Sequence, residues 1–184
     1  EELQESWVLA EVTPYEIYLK TLYELVHERL EGEEAQELLW QDDIQTELTE
    51  FQERAVREAI HMIRLYNGCF VSDVVGLGKS YIGAAIIKHF ERHDRARPLI
   101  ICPASLIEMW EHYNEAYQLN ARVLSMGKLA EDDTHGAAWM LYEDEYKHRD
   151  FVLVDESHNF RRQQSQRYKV LQNYLSTGNR KAVF

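Results

Sequence analysis

The fold of this chain is decided by the stretch SDVVGLGKS, which occupies residues 72–80. An apolar run, CFV at 69–71, precedes it, and a helix-like run from Tyr81 to Phe90 follows it. A strand, then a glycine-bearing loop, then a helix is the order that a phosphate-binding loop requires. Glycines let backbone N–H groups close around phosphate oxygens, and the helix N-terminus adds the positive end of its dipole. The stretch therefore predicts a nucleotide-phosphate site at the end of a strand.

Two side chains of this loop carry charge or a hydroxyl suited to that site. We expect Lys79 to neutralise the β- and γ-phosphates and Ser80 to offer its hydroxyl to Mg²⁺. The general pattern G-x-x-x-x-G-K-[ST] is not fully met, because Asp73 stands where its first glycine would be. A Gly-x-Gly-Lys-Ser sequence also occurs as an ordinary strand-to-helix turn, so the motif needs its context. The residues expected to surround the nucleotide on this side are Gly76, Leu77, Gly78, Lys79, Ser80 and Tyr81.

A second apolar run ends in two acids, in the sequence FVLVDESH at 151–158. Four apolar residues before the acids are typical of a buried parallel strand, and ligands bind at the C-terminal ends of such strands. Asp155 could hold Mg²⁺ through water, and Glu156 could polarise the attacking water of a hydrolysis. An isolated Asp-Glu pair is more often a solvated turn. Taken together with the loop, whose Lys79 lies 76 residues before Asp155, the acid pair indicates that the two stretches are halves of one nucleotide site.

Apolar strand-like runs alternate with helix-like runs at 20–40 residues per unit. This alternation predicts an α/β fold with a mostly parallel sheet and helices on both faces. Strands are expected at 69–71, 98–102, 121–125, 151–154 and 181–184, and helices at 48–66, 80–92, 103–119, 137–146 and 164–176. Cys69 and Cys102 each lie in a predicted strand, so we expect both to be buried, without a disulfide or metal role.

The acidity of the chain is concentrated in its first third. The net charge is −12, of which residues 1–60 carry −13 and residues 61–184 carry +1. We predict an acidic helical segment at 1–47, either a solvated amphipathic helix against the main domain or a partner-binding helix. The near-neutral remainder neither supports nor excludes a nucleic-acid groove. No apolar run approaches the ~20 residues of a membrane helix, so we expect a cytoplasmic protein with no membrane partner, associated with the nucleoid if prokaryotic.

These stretches together resemble the superfamily-two helicases and translocases, in the Swi/Snf-related branch. The sequence DVVGLGKS at 73–80 is similar to their motif I, Asp-Glu-x-Gly-Leu-Gly-Lys-Thr, with Val74 in place of the acid. DESH at 155–158 is similar to motif II, the DExH box. CPASL at 102–106, followed by Trp110, is similar to motif Ia.

The resemblance implies roles for several further residues. Phe51-Gln52 matches the family's glutamine motif, so Gln52 is expected to read adenine. Ser105 is expected to contact the nucleic-acid backbone. Trp110 is expected to pack in the core. His158 is expected either to couple the ATP site to motif III or to be a hydrogen-bonded interior histidine.

The resemblance also implies what the protein does as a whole. Residues 48–184 would be the first RecA-like lobe of an enzyme that couples hydrolysis of ATP, with Mg²⁺, to movement on duplex DNA. A second RecA-like lobe of the same full-length protein would supply an arginine that raises the rate of ATP hydrolysis ~10³–10⁵-fold. Residues 48–184 alone would therefore be nearly inactive. The alternatives are a lobe of an ATP-dependent RNA helicase and a nucleotide-binding regulatory module without nucleic-acid activity.

The sequence argues against a hydrolase of the Ser-His-Asp type. Ser157, His158 and Asp155 are near neighbours at a strand end and cannot form the triad geometry, and the sequence has no G-x-S-x-G elbow.

Overall fold

The structure is a computed structural model that describes Ile44 and residues 48–72, 78–130, 141 and 143–184. The chain divides into two compact units, Glu1–Leu39 and Trp40–Phe184, and the elements below belong to the second. The acidic helices expected in residues 1–47 lie outside the described residues, apart from the buried side chain of Ile44. The boundary expected between 47 and 48 therefore stays a prediction.

A parallel sheet of five strands forms the centre of the described part of the chain. The strands are β1 (Gly68–Cys69), β2 (Pro98–Cys102), β3 (Arg122–Ser125), β4 (Phe151–Val154) and β5 (Lys181–Val183). They lie side by side in the order β1-β5-β4-β2-β3, and every neighbouring pair is parallel. Every residue of β2 and β4 is buried, as their continuous apolar sequences predict for parallel strands covered on both faces.

Four α-helices are present among the described residues. They are α1 (Glu50–Tyr66), α2 (Lys79–Asp94), α3 (Ile107–Ala116) and α4 (Gln166–Ser176). The helix expected from 103 begins instead as a 3₁₀ turn at Ala104–Leu106, and it ends at Ala116 rather than at 119. The helix expected at 137–146 is wrong for its described part after 142, because residues 143–148 form a bend and turns. That run offers one large apolar side chain, Tyr146, which is too little for a helical apolar face.

Helices cover both faces of the sheet, as the sequence predicts. On one face, alternate residues of β2 and β4 join an apolar cluster with α4, comprising Leu99, Ile101, Val152, Val154, Val170, Leu171 and Tyr174. On the other face, the ring of Phe151 packs at 4.9 Å from that of Phe90 on α2. Helix α2 comes close to the sheet at Gly83, where a Cβ would lie only 2.7 Å from Leu153 Cδ1. None of the described helices is long and apolar enough to cross a bilayer.

The two cysteines differ in burial. Cys102 is buried as expected, whereas Cys69 is only half-buried because it ends an edge strand of two residues. Both are free thiols. Burial raises the pKa of Cys69 to about 11, and burial with the nearby Asp155 carboxylate raises the pKa of Cys102 to about 12. Both thiols are therefore protonated at neutral pH and poor nucleophiles or metal ligands.

The stability of the fold should depend on pH through His89 of α2. Its side chain is 2% exposed, and its Nε2 lies 3.3 Å from Nη2 of Arg64. Burial, reinforced by His93 and Arg64, lowers the His89 pKa from 6.5 to about 4. Between these values the unfolded chain binds a proton that the folded chain does not, so stability falls as the pH drops from 6.5 to 4. We expect the wild type to lose about 2 kcal/mol more than His89→Leu between pH 7.5 and pH 5 in urea unfolding.

The exposed His112 provides the control for this measurement. His112→Gln should keep the wild-type loss of stability on acidification. An equal loss in wild type and His89→Leu would show that His89 is not the group responsible.

Candidate functional site

A cavity of about 340 Å³ lies at the C-terminal edge of the sheet. Lys79, the first residue of α2, lines it together with Asp155 and Glu156, which directly follow β4. Parallel strands bring their carboxyl ends to one edge of a sheet, so residues 76 positions apart in sequence meet here. The convergence of the lysine with the two acids, on which the sequence prediction of a single site depends, is present in the structure.

Asp155 is held by three hydrogen bonds. Its Oδ2 accepts from the indole Nε1 of Trp110 at 2.8 Å, and its Oδ1 accepts from the backbone N–H of Glu156 at 2.9 Å. Its own N–H donates to the carbonyl of Ile101 at 2.9 Å, which extends the pairing of β4 with β2 by one residue. Each carboxylate oxygen thus has one donor, and the carboxylate has a defined orientation at the edge of the cavity.

Glu156 leaves the strand in an unusual backbone conformation, with φ 54° in the left-handed region. This conformation is costly for a residue with a Cβ and occurs preferentially at functional sites. Its Oε2 lies 2.9 Å from Nδ1 of His158, and its carbonyl accepts from Nδ2 of Asn159 at 2.9 Å. His158 is hydrogen-bonded, as one of the two expectations requires, but its side chain is 52% exposed and lines the cavity rather than the interior.

Gln52 lies beside the end of the phosphate loop. It forms a capping box at the start of α1, in which the N–H of Thr49 donates to Gln52 Oε1 at 2.9 Å. The N–H of Gln52 in turn donates to Thr49 Oγ1 at 3.4 Å. A Cβ at Gly78 would lie 2.6 Å from Gln52 Nε2 and 3.7 Å from Tyr81 Cδ2. Gly78 has φ 74°, so glycine is favoured there by backbone conformation as well as by space. The structure therefore brings Gln52, Gly78 and Tyr81 together.

The remaining residues predicted to bind the nucleotide either do not line the cavity or lie outside the described residues. Gly76 and Leu77 lie outside the described residues. Ser80 follows Lys79 on α2 but is not among the residues that line the cavity. Gln52 and Tyr81 are likewise outside its lining.

Ser105 lies on a different surface. It is exposed and borders an open groove along α3 that is also lined by Glu108, Glu111 and Glu115. The three carboxylates make this groove acidic, which is unfavourable for a nucleic-acid phosphate.

Among the cavity residues that were not predicted as part of the site, Trp110 and Arg161 bear on its chemistry. Trp110 is buried as expected for a core residue, at 1% exposure, but its N–H also reaches Asp155. Arg161 lines the cavity and adds a second cation to it besides Lys79. The resemblance to motif Ia points to Trp110, but it does not indicate that the N–H of Trp110 contacts Asp155. Arg161 lies five residues after Glu156, and no sequence pattern there indicates that it belongs to the site.

The donors at this edge suit Mg²⁺ better than a transition metal. Within the described ranges, no group of three or more His, Cys, Asp or Glu is arranged to hold a metal ion. Mg²⁺ uses one or two protein oxygens and completes its shell with phosphate oxygens and water. The Asp155 carboxylate is a donor of that kind at the cavity, whereas Ser80, the second predicted donor, lies outside the cavity lining.

Comparisons with known proteins bear on the fold. No protein-family model and no curated protein matches this sequence. The structure is similar to a solved structure, the Sulfolobus solfataricus SWI2/SNF2 ATPase core in complex with dsDNA, with a TM-score of 0.62 and 20% sequence identity. The match covers 79% of this chain and 33% of the other, so this chain spans about a third of the length of that protein. The described part of the chain therefore has the RecA-like α/β fold that is also found in a SWI2/SNF2 ATPase core.

Proposed function

We propose that residues 48–184 are the first ATP-binding lobe of an ATP-dependent DNA helicase or translocase of the Swi/Snf-related branch. The observation that carries this proposal is the shared cavity of Lys79, Asp155 and Glu156 at the carboxyl edge of a parallel sheet. A cation at a helix start and two acids at a strand end are the parts that phosphoryl transfer requires. The similarity in fold to an ATPase core solved with dsDNA supports the same assignment.

The cations of the site would bind the triphosphate. Lys79 would neutralise the β- and γ-phosphates, and the backbone N–H groups of Gly76, Leu77 and Gly78 with the start of α2 would bind phosphate oxygens. Arg161 would add charge from the side of the cavity formed by the residues after β4. Gln52, beside Gly78 and Tyr81, would pair with the edge of adenine.

The acids of the site would serve the hydrolysis. Asp155 and Ser80 would hold Mg²⁺, which when bound neutralises phosphate charge and polarises the reacting phosphoryl group. Glu156 would orient the attacking water and accept its proton. The Nδ1 of His158 at 2.9 Å fixes one carboxylate oxygen of Glu156 and leaves the other for that water.

DNA would be the partner that couples hydrolysis to movement, and a second RecA-like lobe would close the cavity. The second lobe would supply an arginine to the transferring phosphoryl group, so this chain alone would turn over ATP barely above background. Ser105 is our candidate for a contact with the DNA backbone.

A nucleotide-binding regulatory module without nucleic-acid activity is the second candidate. The acidic groove around Ser105 favours it, because Glu108, Glu111 and Glu115 would repel a phosphate backbone. An RNA helicase lobe is a further alternative, which a comparison of duplex DNA with duplex RNA distinguishes.

Lys79→Ala should abolish binding of the magnesium complex of a non-hydrolysable ATP analogue, measured by calorimetry. We expect a loss of ~100-fold or more in affinity, or ~2.7 kcal/mol, because the cation on the phosphates is removed. The control is Lys88→Ala on the same helix, whose ammonium lies 3.4 Å from Glu91 and 3.1 Å from the carbonyl of Gln118. Binding by Lys79→Ala within a few-fold of wild type would contradict the assignment of the site.

Glu156→Gln should separate binding from hydrolysis. The amide cannot accept a proton from water, so in the protein with both lobes phosphate release should fall by ~10²–10⁴-fold. Analogue binding should stay within a few-fold of wild type. Asp144→Asn, which changes an exposed carboxylate outside both the cavity and the groove, is the control. Phosphate release by Glu156→Gln at the wild-type rate would show that another group activates the water.

Filter binding to duplex DNA at 50–200 mM salt should separate the translocase from the regulatory module. Phosphate contacts release counterions, so affinity should fall steeply as salt rises, with a slope near −0.9 per contact. The combined substitution of Glu108, Glu111 and Glu115 by Gln should raise affinity if DNA lies along the groove near Ser105. No saturable binding at any salt concentration would favour the regulatory module, and preferential binding of duplex RNA would favour the RNA helicase.

A further inference from the structure

We infer that Trp110 is a positioning residue that orients the Asp155 carboxylate toward Mg²⁺, an inference that rests on the proposed nucleotide site. Trp110 lies on α3, 45 residues before Asp155 in the sequence. Its indole is 1% exposed, and its Nε1 donates to Asp155 Oδ2 at 2.8 Å. A core side chain from one segment thus directly contacts the proposed metal-binding acid of another.

The position of the indole is fixed by packing. Its Cη2 would lie 3.2 Å from a Cβ at Gly83, so the ring fills the space left by that glycine on α2. The ring of Tyr113 packs edge-on against it with centroids 5.8 Å apart. Neighbours on two sides hinder rotation of the ring, so the direction of its N–H is set by the core and not by solvent.

The fixed N–H of Trp110 determines the orientation of the Asp155 carboxylate. A hydrogen bond to an ionised carboxylate is stronger than a neutral one and restricts the plane of the carboxylate. The N–H of Glu156 already binds Oδ1 at 2.9 Å, so with Trp110 on Oδ2 both oxygens have a fixed donor. The lone pairs that remain are those available to Mg²⁺ or its water. Loss of such a supporting partner typically costs 10–100-fold in metal affinity.

A purely structural role for Trp110 makes a different prediction. A buried indole N–H needs an acceptor, and packing alone would be satisfied by any oxygen in reach. If Trp110 only fills the core, its substitution should weaken nucleotide binding equally with and without metal. If it orients Asp155, the loss should appear only when Mg²⁺ is present.

The test uses the full 184-residue chain and Trp110→Phe, which keeps an aromatic ring but has no N–H. Calorimetry measures binding of a non-hydrolysable ATP analogue in EDTA and across a Mg²⁺ titration. We expect the Mg²⁺ midpoint to rise about tenfold, while affinity in EDTA stays within about twofold of wild type. In an Asp155→Asn background, Trp110→Phe should have no further effect on the Mg²⁺ midpoint.

Tyr174→Phe is the matched control. Tyr174 is a buried aromatic residue whose hydroxyl donates to the carbonyl of Tyr146 at 2.5 Å, within the cluster on the other face of the sheet. Its substitution removes a buried hydrogen bond and should lower the unfolding midpoint without moving the Mg²⁺ midpoint. An unchanged Mg²⁺ midpoint in Trp110→Phe, or equal weakening with and without Mg²⁺, would overturn the inference while leaving the nucleotide site intact. Absence of analogue binding by the wild type would overturn the proposed function and this inference together.

A measurement on the wild type keeps the inference testable if Trp110→Phe does not fold. The chain has four tryptophans, so nitrogen-15 NMR gives at most four indole N–H resonances. The resonance moved by Asp155→Asn identifies Trp110. We expect Mg²⁺ added to the analogue-bound protein to shift this resonance, and the analogue in EDTA to leave it in place. A resonance unmoved by Mg²⁺ would overturn the inference.

Discussion

The site depends on the parallel direction of β1 and β4, with β5 between them. Because all strands run the same way, the chain leaves β1 toward the phosphate loop at the same edge where β4 ends in Asp155. Neighbouring strands lie ~4.8 Å apart, so two strands separated by a third end roughly 10 Å from each other. That gap can hold a bound triphosphate. The strand order therefore sets the distance across the cavity.

The acids at this edge are stabilised by hydrogen bonds that leave them available to a ligand. Asp155 receives one indole and one backbone N–H, and Glu156 lies against His158. Donors of this kind offset part of the desolvation of a carboxylate without adding the full positive charge that an arginine would bring. The positive φ of Glu156 has a cost that the buried, fully paired β4 before it can sustain. The energy of the core thus supports a local arrangement that is unfavourable by itself.

The sequence predicts the sheet because buried parallel strands need continuous apolar runs, and β2 and β4 have them. It also predicts which residues meet at the edge, since strand direction follows from the alternation of strands and helices. It does not predict the contacts of Trp110 and Arg161, because they depend on how α3 packs and on the path of the chain after β4. The turns at 143–148 could have been expected from the sequence, because that charged run has one large apolar side chain, Tyr146, and therefore no helical apolar face.

The position of Trp110 on α3 connects the two surfaces that the proposed function requires. Ser105, the candidate DNA contact, lies in the turn that leads into α3, five residues before Trp110. The turn and the helix are one continuous run of chain, so the candidate DNA contact and the residue whose N–H holds Asp155 at 2.8 Å belong to neighbouring parts of one segment. The proposed metal-binding acid is therefore supported from the same segment that carries the candidate DNA contact.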